Sequence, residues 1–242
     1  STQMVALPAV VEADDDELYV MKFFGAGQGP KVLIAELLAG EIARALGLNV
    51  PELVFLELDA NLGRNERDPE IRDLLSASVG LNLGLRYLPS AFAYNPLLKP
   101  EPTPDEASAI VWFDAYVTNV DRTARNVNML LWRNALWLID HGAALYFHHA
   151  WPRRASDADR FAAQPFTAGD HVLADIGPSV REVHERAVAA LSPALAEAVA
   201  VVPDEWLEPT QWLPDPYAVR TAYVEHLTAR LGAPEAWLGG AR

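Results

Sequence analysis

The stretch that decides the fold of this chain runs from residue 119 to residue 142 and reads NVDRTARNVNMLLWRNALWLIDHG. It contains two short apolar runs, at 128–132 and 135–139, that are rich in strand-forming residues and are separated by Arg133-Asn134. Because Asn tolerates the positive φ of tight hairpin turns, the pattern predicts an antiparallel β-hairpin.

A hairpin of this kind brings oxygen-bearing side chains to its open end. Asn126 precedes the first run and Asp140 follows the second, so we expect them to be neighbours, and Asp121 lies in the loop just upstream. The pairing register is not fixed by sequence, so Asn128 is an alternative to Asn126. Mg²⁺ prefers oxygen ligands and shares them with substrate phosphates, so the segment predicts a magnesium site.

This segment resembles the catalytic segment of the HipA-like kinases and, more distantly, that of the phosphoinositide lipid kinases. The resemblance rests on Asp-Arg-Thr at 121–123, on Asn126, and on Asp-His-Gly at 140–142 after the hairpin. The chain departs from those families at Thr123, where His is common, and at His141, where the lipid kinases have Phe.

The resemblance implies both an activity and a set of roles. Asp121 would orient or deprotonate the attacking hydroxyl, while Asn126 and Asp140 would hold Mg²⁺. The implied activity is an ATP- and Mg²⁺-dependent kinase. Its implied acceptor is the hydroxyl of a protein Ser or Thr, with small alcohols, sugars and lipid headgroups as alternatives.

Nearer the N-terminus, the sequence predicts a hairpin from strands at 9–13 and 18–23 around a polar turn. Its second strand carries Lys22. A lone strand lysine usually reaches to water. The resemblance instead implies that Lys22 contacts the α and β phosphates of ATP.

A helix is predicted from residue 31 to residue 46, with Gly47 as its stop. By the 3.6-residue period its apolar stripe comprises Ile34, Leu38, Ile42 and Ala45. Glu41 lies at the edge of that stripe and Glu36 on the more polar side. The resemblance favours Glu36 as the partner of Lys22, whereas periodicity favours Glu41, since a half-buried acid needs a partner. We rank Glu36 first.

A glycine-rich turn at 25–30 precedes this helix. Backbone N–H groups in such a turn can bind phosphate, but the spacing fits no nucleotide-binding motif, so a strand-to-helix connection is the simpler interpretation. In the kinases resembled here, the glycine loop precedes the strand lysine. Nothing glycine-rich precedes Lys22, so either the sequence lacks its start or the loop is absent.

Strands predicted at 51–58 and 80–87, with a short helix near 69–76, complete a small sheet. A proline-rich passage follows, and we place a lobe boundary near residue 89. The resemblance implies that the backbone of three residues at this boundary binds adenine, namely Arg86, Tyr87 and Leu88.

The predicted fold class is therefore α+β with two lobes, as in the protein kinases. Residues 1–89 would form an N-lobe with a small antiparallel sheet and one main helix, and residues 90–242 a mainly helical C-lobe. Thr103-Pro104 is a strong helix start that leads the chain into the catalytic loop. The C-lobe helices are predicted at 103–118, 179–201 and 217–231.

The amino-acid composition indicates a folded globular protein and disfavours nucleic acid and membrane as binding partners. The 242 residues are 51% hydrophobic and 21% charged, as in folded globular proteins. The net charge of -14 disfavours direct nucleic-acid binding, and no apolar run is long enough to insert into a membrane. The absence of cysteine from the sequence is typical of a cytoplasmic protein.

Two other function classes remain open at this stage. One is a kinase-shaped nucleotide-binding or scaffold protein without activity, which the missing glycine loop favours. The other is a metal-dependent hydrolase that uses Asp121, Asp140, His141, His148 and His149, although the spacing of these histidines is poor for chelation. The adjacent Arg153 and Arg154 are candidates for contact with phosphate or an acidic substrate, although such arginines are usually solvated.

Overall fold

The computed structural model describes residues 9–27, 29–177 and 179–241. The strands within them are β1 Ala9–Glu12, β2 Leu18–Lys22, β3 Leu53–Leu58, β4 Gly80–Arg86, β5 Phe92–Ala93, β6 Met129–Trp132 and β7 Ala135–Leu138. The α-helices are α1 Pro30–Ala45, α2 Pro69–Ala77, α3 Pro104–Val117, α4 Ala158–Ala162, α5 Val180–Leu191, α6 Leu195–Ala200 and α7 Pro216–Leu231. This arrangement confirms the α+β class with two lobes, while the boundary near residue 89 stays a prediction.

The first sheet is antiparallel, with strand order β1-β2-β4-β3. It places Lys22, at the end of β2, opposite Leu83 of β4. Gly84 of β4 leaves room for the neighbouring strand, since a Cβ there would lie 2.6 Å from Leu56 Cδ1. The three predicted strand regions up to residue 58 and the β4 region are confirmed, although β3 begins at Leu53 rather than at residue 51.

The second sheet has the order β5-β6-β7 and contains the predicted hairpin. Arg133 and Asn134 in its turn have φ values of 51° and 61°, which is the conformation that a two-residue hairpin turn requires. The strand β5 was predicted to be part of a loop. Its two residues pair with β6, and a strand that short carries no alternating pattern to detect.

The predicted ends of the main helices are confirmed by their caps. Gly47 has a φ of 77°, and the Leu48 N–H donates to the Ala43 carbonyl at 3.0 Å, which closes α1. The hydroxyl of Thr103 accepts from the Glu106 N–H at 3.2 Å at the start of α3.

The single helix predicted at 179–201 is wrong, because the chain forms α5 and α6 with a turn at residues 192–194 between them. Pro193 lies in that turn. A proline lacks the N–H that a helix interior needs, and its ring clashes with the preceding turn.

Most of the core is one continuous apolar cluster. It includes α1 (for example Leu38), α3 (Phe113), the hairpin (Leu138) and the C-terminal helices (Leu227). A second, small cluster under the first sheet consists of Met21, Phe23 and Leu58. Within the described part of the chain, none of the helices combines the length and hydropathy needed to cross a bilayer.

The burial of α1 differs from the single stripe that the sequence predicted. Ala45, which was assigned to the stripe, is exposed, and Glu36, which was assigned to the polar side, is 0% exposed. The helix contacts β4 on one side and α5 and α6 on another. An acid on a helix covered in this way must have partners inside the protein.

Candidate active site

Three residues that are distant in sequence meet at one ammonium group. The Lys22 Nζ donates to Glu36 Oε2 at 2.8 Å and to Asp140 Oδ1 at 2.6 Å. Lys22 ends β2, Glu36 lies in the second turn of α1, and Asp140 follows β7. The contact therefore joins the first sheet, the main helix and the end of the hairpin.

Both members of the buried pair stay charged. Burial raises the pKa of the Glu36 carboxyl, but the Lys22 charge and the hydrogen bonds from His141 outweigh it and hold this pKa well below its usual range. Burial lowers the pKa of the Lys22 ammonium, but Glu36 and Asp140 outweigh it and raise this pKa above its usual value. The ion pair is therefore intact across the neutral range.

Glu36 also binds the segment that contains Asp140. The backbone N–H of His141 donates to Glu36 Oε2 at 2.9 Å, and His141 Nδ1 lies 3.3 Å from Glu36 Oε1. Gly142 lies against α1, since a Cβ on it would be 2.7 Å from Val32 Cγ1. One carboxylate thus fixes both the lysine and the Asp-His-Gly backbone. The alternative partner, Glu41, lies half-buried beside a separate small cavity and makes no ion pair with any described residue.

The open end of the hairpin is held by a buried arginine. Arg122 is 1% exposed, and it donates to Asp114 of α3 through Nε at 2.7 Å and through Nη2 at 3.2 Å. Its Nη1 donates to the carbonyl of Asn128 and, at 3.5 Å, to that of Ile139. A single guanidinium group therefore ties both ends of the hairpin to α3.

Asp114 has two further partners. Asn119 Nδ2 donates to Asp114 Oδ1 at 2.9 Å, and His171 Nε2 lies 2.7 Å from Asp114 Oδ2. His171 Nδ1 accepts from the Leu173 N–H at 3.0 Å, so Nε2 carries the proton and donates to Asp114. Burial raises the pKa of the Asp114 carboxyl, but Arg122 and His171 outweigh it and hold this pKa well below its usual range.

From the sequence, Asp114 is a candidate brace of the catalytic loop, although a place at the edge of the apolar stripe is favoured, and no role is predicted for Arg122 or His171. Arg122 belongs to the quoted motif, and Asp114 lies near the apolar face of α3, which is a detectable signal of a buried acid. His171 is 57 residues from Asp114, and no spacing rule relates the two.

Asp121 and Asn126 lie on the loop between α3 and β6, and both are exposed. The Asp121 N–H donates to Asn119 Oδ1 at 3.3 Å. Asn126 closes a turn with Thr123, whose N–H donates to the Asn126 carbonyl at 3.0 Å. Within the described residues, no hydrogen bond or ion pair joins either side chain to Asp140.

The backbone register assigns the pairing position to Asn128. The Ile139 N–H donates to the Asn128 carbonyl at 3.1 Å, so Asn128 lies opposite the end of β7, and Asn126 is two residues farther out. The φ of 48° at Asn128 stops the strand there, so β6 is one residue shorter than predicted.

The donor set fits magnesium. Asp140 is 48% exposed at its side chain, and Asp121 and Asn126 also present oxygen atoms to solvent. In the part of the chain that the structure describes, no group of three or more acidic or histidine side chains lies close enough together to bind a metal ion through protein ligands alone. Mg²⁺ usually binds through one or two protein oxygens together with substrate phosphates and water, which is the arrangement these residues could provide.

Of the three backbone N–H groups expected to bind adenine, two already donate hydrogen bonds within the protein. The N–H of Arg86 donates to the Glu52 carbonyl at 2.8 Å, and that of Tyr87 donates to the Leu18 carbonyl at 2.9 Å. The N–H of Leu88 has no hydrogen-bond partner among the described residues. The Arg86 side chain is paired with Glu17 at 2.7 Å.

The histidines considered for a hydrolase site do not converge. His148 is fully buried, and its Nδ1 lies 2.8 Å from the Tyr223 hydroxyl, while burial lowers its pKa well below the usual value. The rings of His148 and His149 are nearly perpendicular, at 86°, and His141 is bound to Glu36. This geometry supports no shared metal site for these histidines.

Comparison with known proteins identifies the family. A comparison with curated protein sequences returned no match. A protein-family model described as HipA-like kinase matches residues 1–239 of the 242 residues. The match spans both sheets and all the helices described above, including the Lys22, Glu36 and Asp140 contacts. The chain belongs to the HipA-like kinase family.

Proposed function

We propose that this kinase transfers the γ-phosphate of ATP, with Mg²⁺ bound, to the hydroxyl of a protein serine or threonine. The observation that carries the proposal is the ammonium of Lys22 held between Glu36 and Asp140. A lysine fixed by a helix acid and adjoining the acid that follows a hairpin is the arrangement by which kinases position nucleotide phosphates.

In this proposal each residue of the site has one task. Lys22 binds the α and β phosphates, and Glu36 holds Lys22 in place. Asp140 and Asn126 hold Mg²⁺, with Asn128 as the alternative to Asn126. The bound ion neutralises charge on the β and γ phosphate oxygens. Asp140 lies 2.6 Å from the Lys22 ammonium, so an ion bound to Asp140 would be close to the phosphates that Lys22 binds.

Asp121 orients the acceptor hydroxyl or removes its proton. Asp121 is exposed on a loop, but the backbone on either side of it is held in place. Its own N–H donates to the Asn119 side chain, and the next residue, Arg122, is buried and bound to Asp114. Catalysis of phosphoryl transfer depends mainly on such positioning. For adenine we assign the free N–H of Leu88, since those of Arg86 and Tyr87 are already bonded.

The nucleotide part of the proposal is tested by calorimetry of ATP-Mg²⁺ binding. Glu36→Gln removes the charge that holds Lys22, and we expect affinity to fall by roughly tenfold or more, since a hydrogen bond between charged groups is worth about 1.5–3 kcal/mol. Lys22→Met is expected to weaken binding similarly. The matched control is Glu41→Gln, an acid of the same helix without an ion pair, which should stay within about twofold of the wild type.

The transfer part is tested with labelled ATP and a library of serine- and threonine-containing peptides. Asp121→Asn should abolish transfer while ATP binding and the thermal melt are unchanged. If the wild-type protein neither binds ATP-Mg²⁺ nor consumes ATP, the proposal fails. Binding without any transfer would instead support the inactive nucleotide-binding alternative.

A further inference from the structure

A groove of about 650 Å³ lies in the segment that follows Asp-His-Gly. Its walls come from residues 146–165 and from His226 of α7. The floor is aromatic and its buried or half-buried members are Phe147, Trp151, Phe161 and His226. The rim carries three exposed arginines, called here the groove arginines: Arg153, Arg154 and Arg160.

The floor is rigid. Phe147 stacks on His226 with ring centroids 4.6 Å apart and lies 4.2 Å from Phe161. Behind it the buried Arg230 donates to the carbonyls of Phe161 and Gln164 at 2.9 and 2.8 Å, and also to carbonyls at the end of α3. The groove is therefore a preformed feature, attached to the helix that leads into the catalytic loop.

The charge of the groove is opposite to that of the chain. The chain has 33 acidic and 19 basic residues, yet no carboxylate of a described residue lies within ion-pair distance of the groove arginines. One acid lines the groove, Asp157, and its carboxylate caps α4 by accepting from the Arg160 N–H at 3.0 Å. Three cations and one anion leave a local surplus of positive charge in a chain whose net charge is -14.

The groove segment is anchored at both ends, to α1 at its start and to the catalytic loop at its end. At its start, the His141 N–H binds Glu36. At its end, Thr123 forms a β-bridge with His171, and the Val172 N–H donates to the Arg122 carbonyl at 3.1 Å. Tyr146, on the groove wall, is six residues beyond Asp140, so the two are at most about 20 Å apart, which is within the reach of one extended peptide.

We infer that the groove binds an acidic segment of the protein acceptor and so selects substrates with carboxylates a few residues away from the phosphorylated hydroxyl. The inference rests on the proposed protein Ser/Thr acceptor. Guanidinium groups bind carboxylates in paired hydrogen bonds, and the aromatic floor accommodates apolar side chains between the acids. A short acidic segment fits a local surplus of two charges, whereas a nucleic acid or an anionic membrane would be repelled by the rest of the chain.

The test is fluorescence anisotropy with the full chain, without ATP. The probe is a fluorescein-labelled ten-residue peptide in which one Ser is flanked by Glu and Leu, and Glu is replaced by Gln in the control peptide. Replacing all three groove arginines by Ala should weaken binding of the Glu peptide roughly tenfold, since each partly exposed charge pair contributes about twofold. The matched control variant removes three exposed, unpaired arginines of the other lobe by Ala substitution at Arg64, Arg67 and Arg72. It should stay within about twofold of the wild type.

Several outcomes would overturn the inference. These are an equal loss of affinity in both triple variants, equal affinity of the Glu and Gln peptides, and no peptide binding at low salt. Tighter binding of inorganic phosphate, of a single-stranded RNA oligonucleotide or of anionic vesicles than of the Glu peptide would assign the groove to another ligand. Because the assay contains no nucleotide, and because ATP binding is measured separately on the same variants, failure of the groove is distinguished from failure of the kinase proposal.

Discussion

Replacing Arg122 tests whether the buried network holds the catalytic loop. We expect Arg122→Met to be strongly destabilising, because it leaves the fully buried Asp114 with only His171 and Asn119 as partners. It also removes a donor from the carbonyls of Asn128 and Ile139 at the two ends of the hairpin.

The magnitude follows from the burial of the pair. Both side chains are 0% exposed, and their closest approach is 2.7 Å. Breaking a buried pair by removing one partner costs about 3–5 kcal/mol, since an uncompensated charge is left inside the protein. For a domain of about 240 residues, each kcal/mol lowers the melting temperature by roughly 2–4 °C, so we expect a loss of about 6–20 °C.

Thermal melts followed by circular dichroism measure this loss, and the chain supplies a matched control. Arg186 lies at the same 2.7 Å from Asp105, but their side chains are 52% and 72% exposed. Arg186→Met should change the melting temperature by less than about 3 °C. The double variant Arg122→Met with Asp114→Asn should recover part of the loss, because the buried charge is removed. If Arg122→Met melts as close to the wild type as Arg186→Met does, the assignment of Arg122 as the brace is refuted.

Three further predictions concern the pH dependence of stability, a glycine packed against α1 and a buried asparagine side chain. Folding lowers the pKa values of Glu36 and Asp114, so in acid the unfolded chain binds more protons than the folded chain. The free energy of unfolding, measured with urea, should therefore be constant above pH about 4.5 and should decrease as the pH falls below that value. A stability that is constant between pH 6 and pH 3 would contradict this. Gly142→Ala should lower the free energy of unfolding by about 1–3 kcal/mol and slow phosphotransfer, because the added Cβ would lie 2.7 Å from Val32 Cγ1 of α1. The control Gly239→Ala, where no atom lies within 4 Å of the added Cβ, should leave the melts and the transfer assays unchanged. Asn82→Ala should cost about 2 kcal/mol in urea unfolding, because it leaves the half-buried Phe24 N–H without the oxygen of the buried Asn82 as its acceptor. An unchanged midpoint would argue against that bond.

The local features of the fold were predictable because short-range rules determine them. The hairpin depends on a turn at 133–134 that needs positive φ, and the end of α1 depends on Gly47. The start of α3 depends on the hydroxyl of Thr103. Each of these rules involves residues within about four positions of one another, which is the distance over which sequence patterns are informative.

The burial of Glu36 could not be read from periodicity. The period identifies one apolar stripe, but α1 is covered on several sides by elements as distant in sequence as α6. The resemblance to kinases pointed to Glu36, whereas the helical pattern alone pointed to Glu41. The hairpin register likewise depended on the φ of Asn128, and the break between α5 and α6 on Pro193, a signal that was present in the sequence.

The packing of α1 has a consequence for the position of the first sheet. The helix and the sheet share the large core, since Leu83 of β4 belongs to it, and the indole N–H of Trp206 donates to the Leu81 carbonyl of β4 at 3.2 Å. Lys22 lies on the sheet and Glu36 on the helix, so the 2.8 Å distance between their side chains reports any displacement of one element relative to the other.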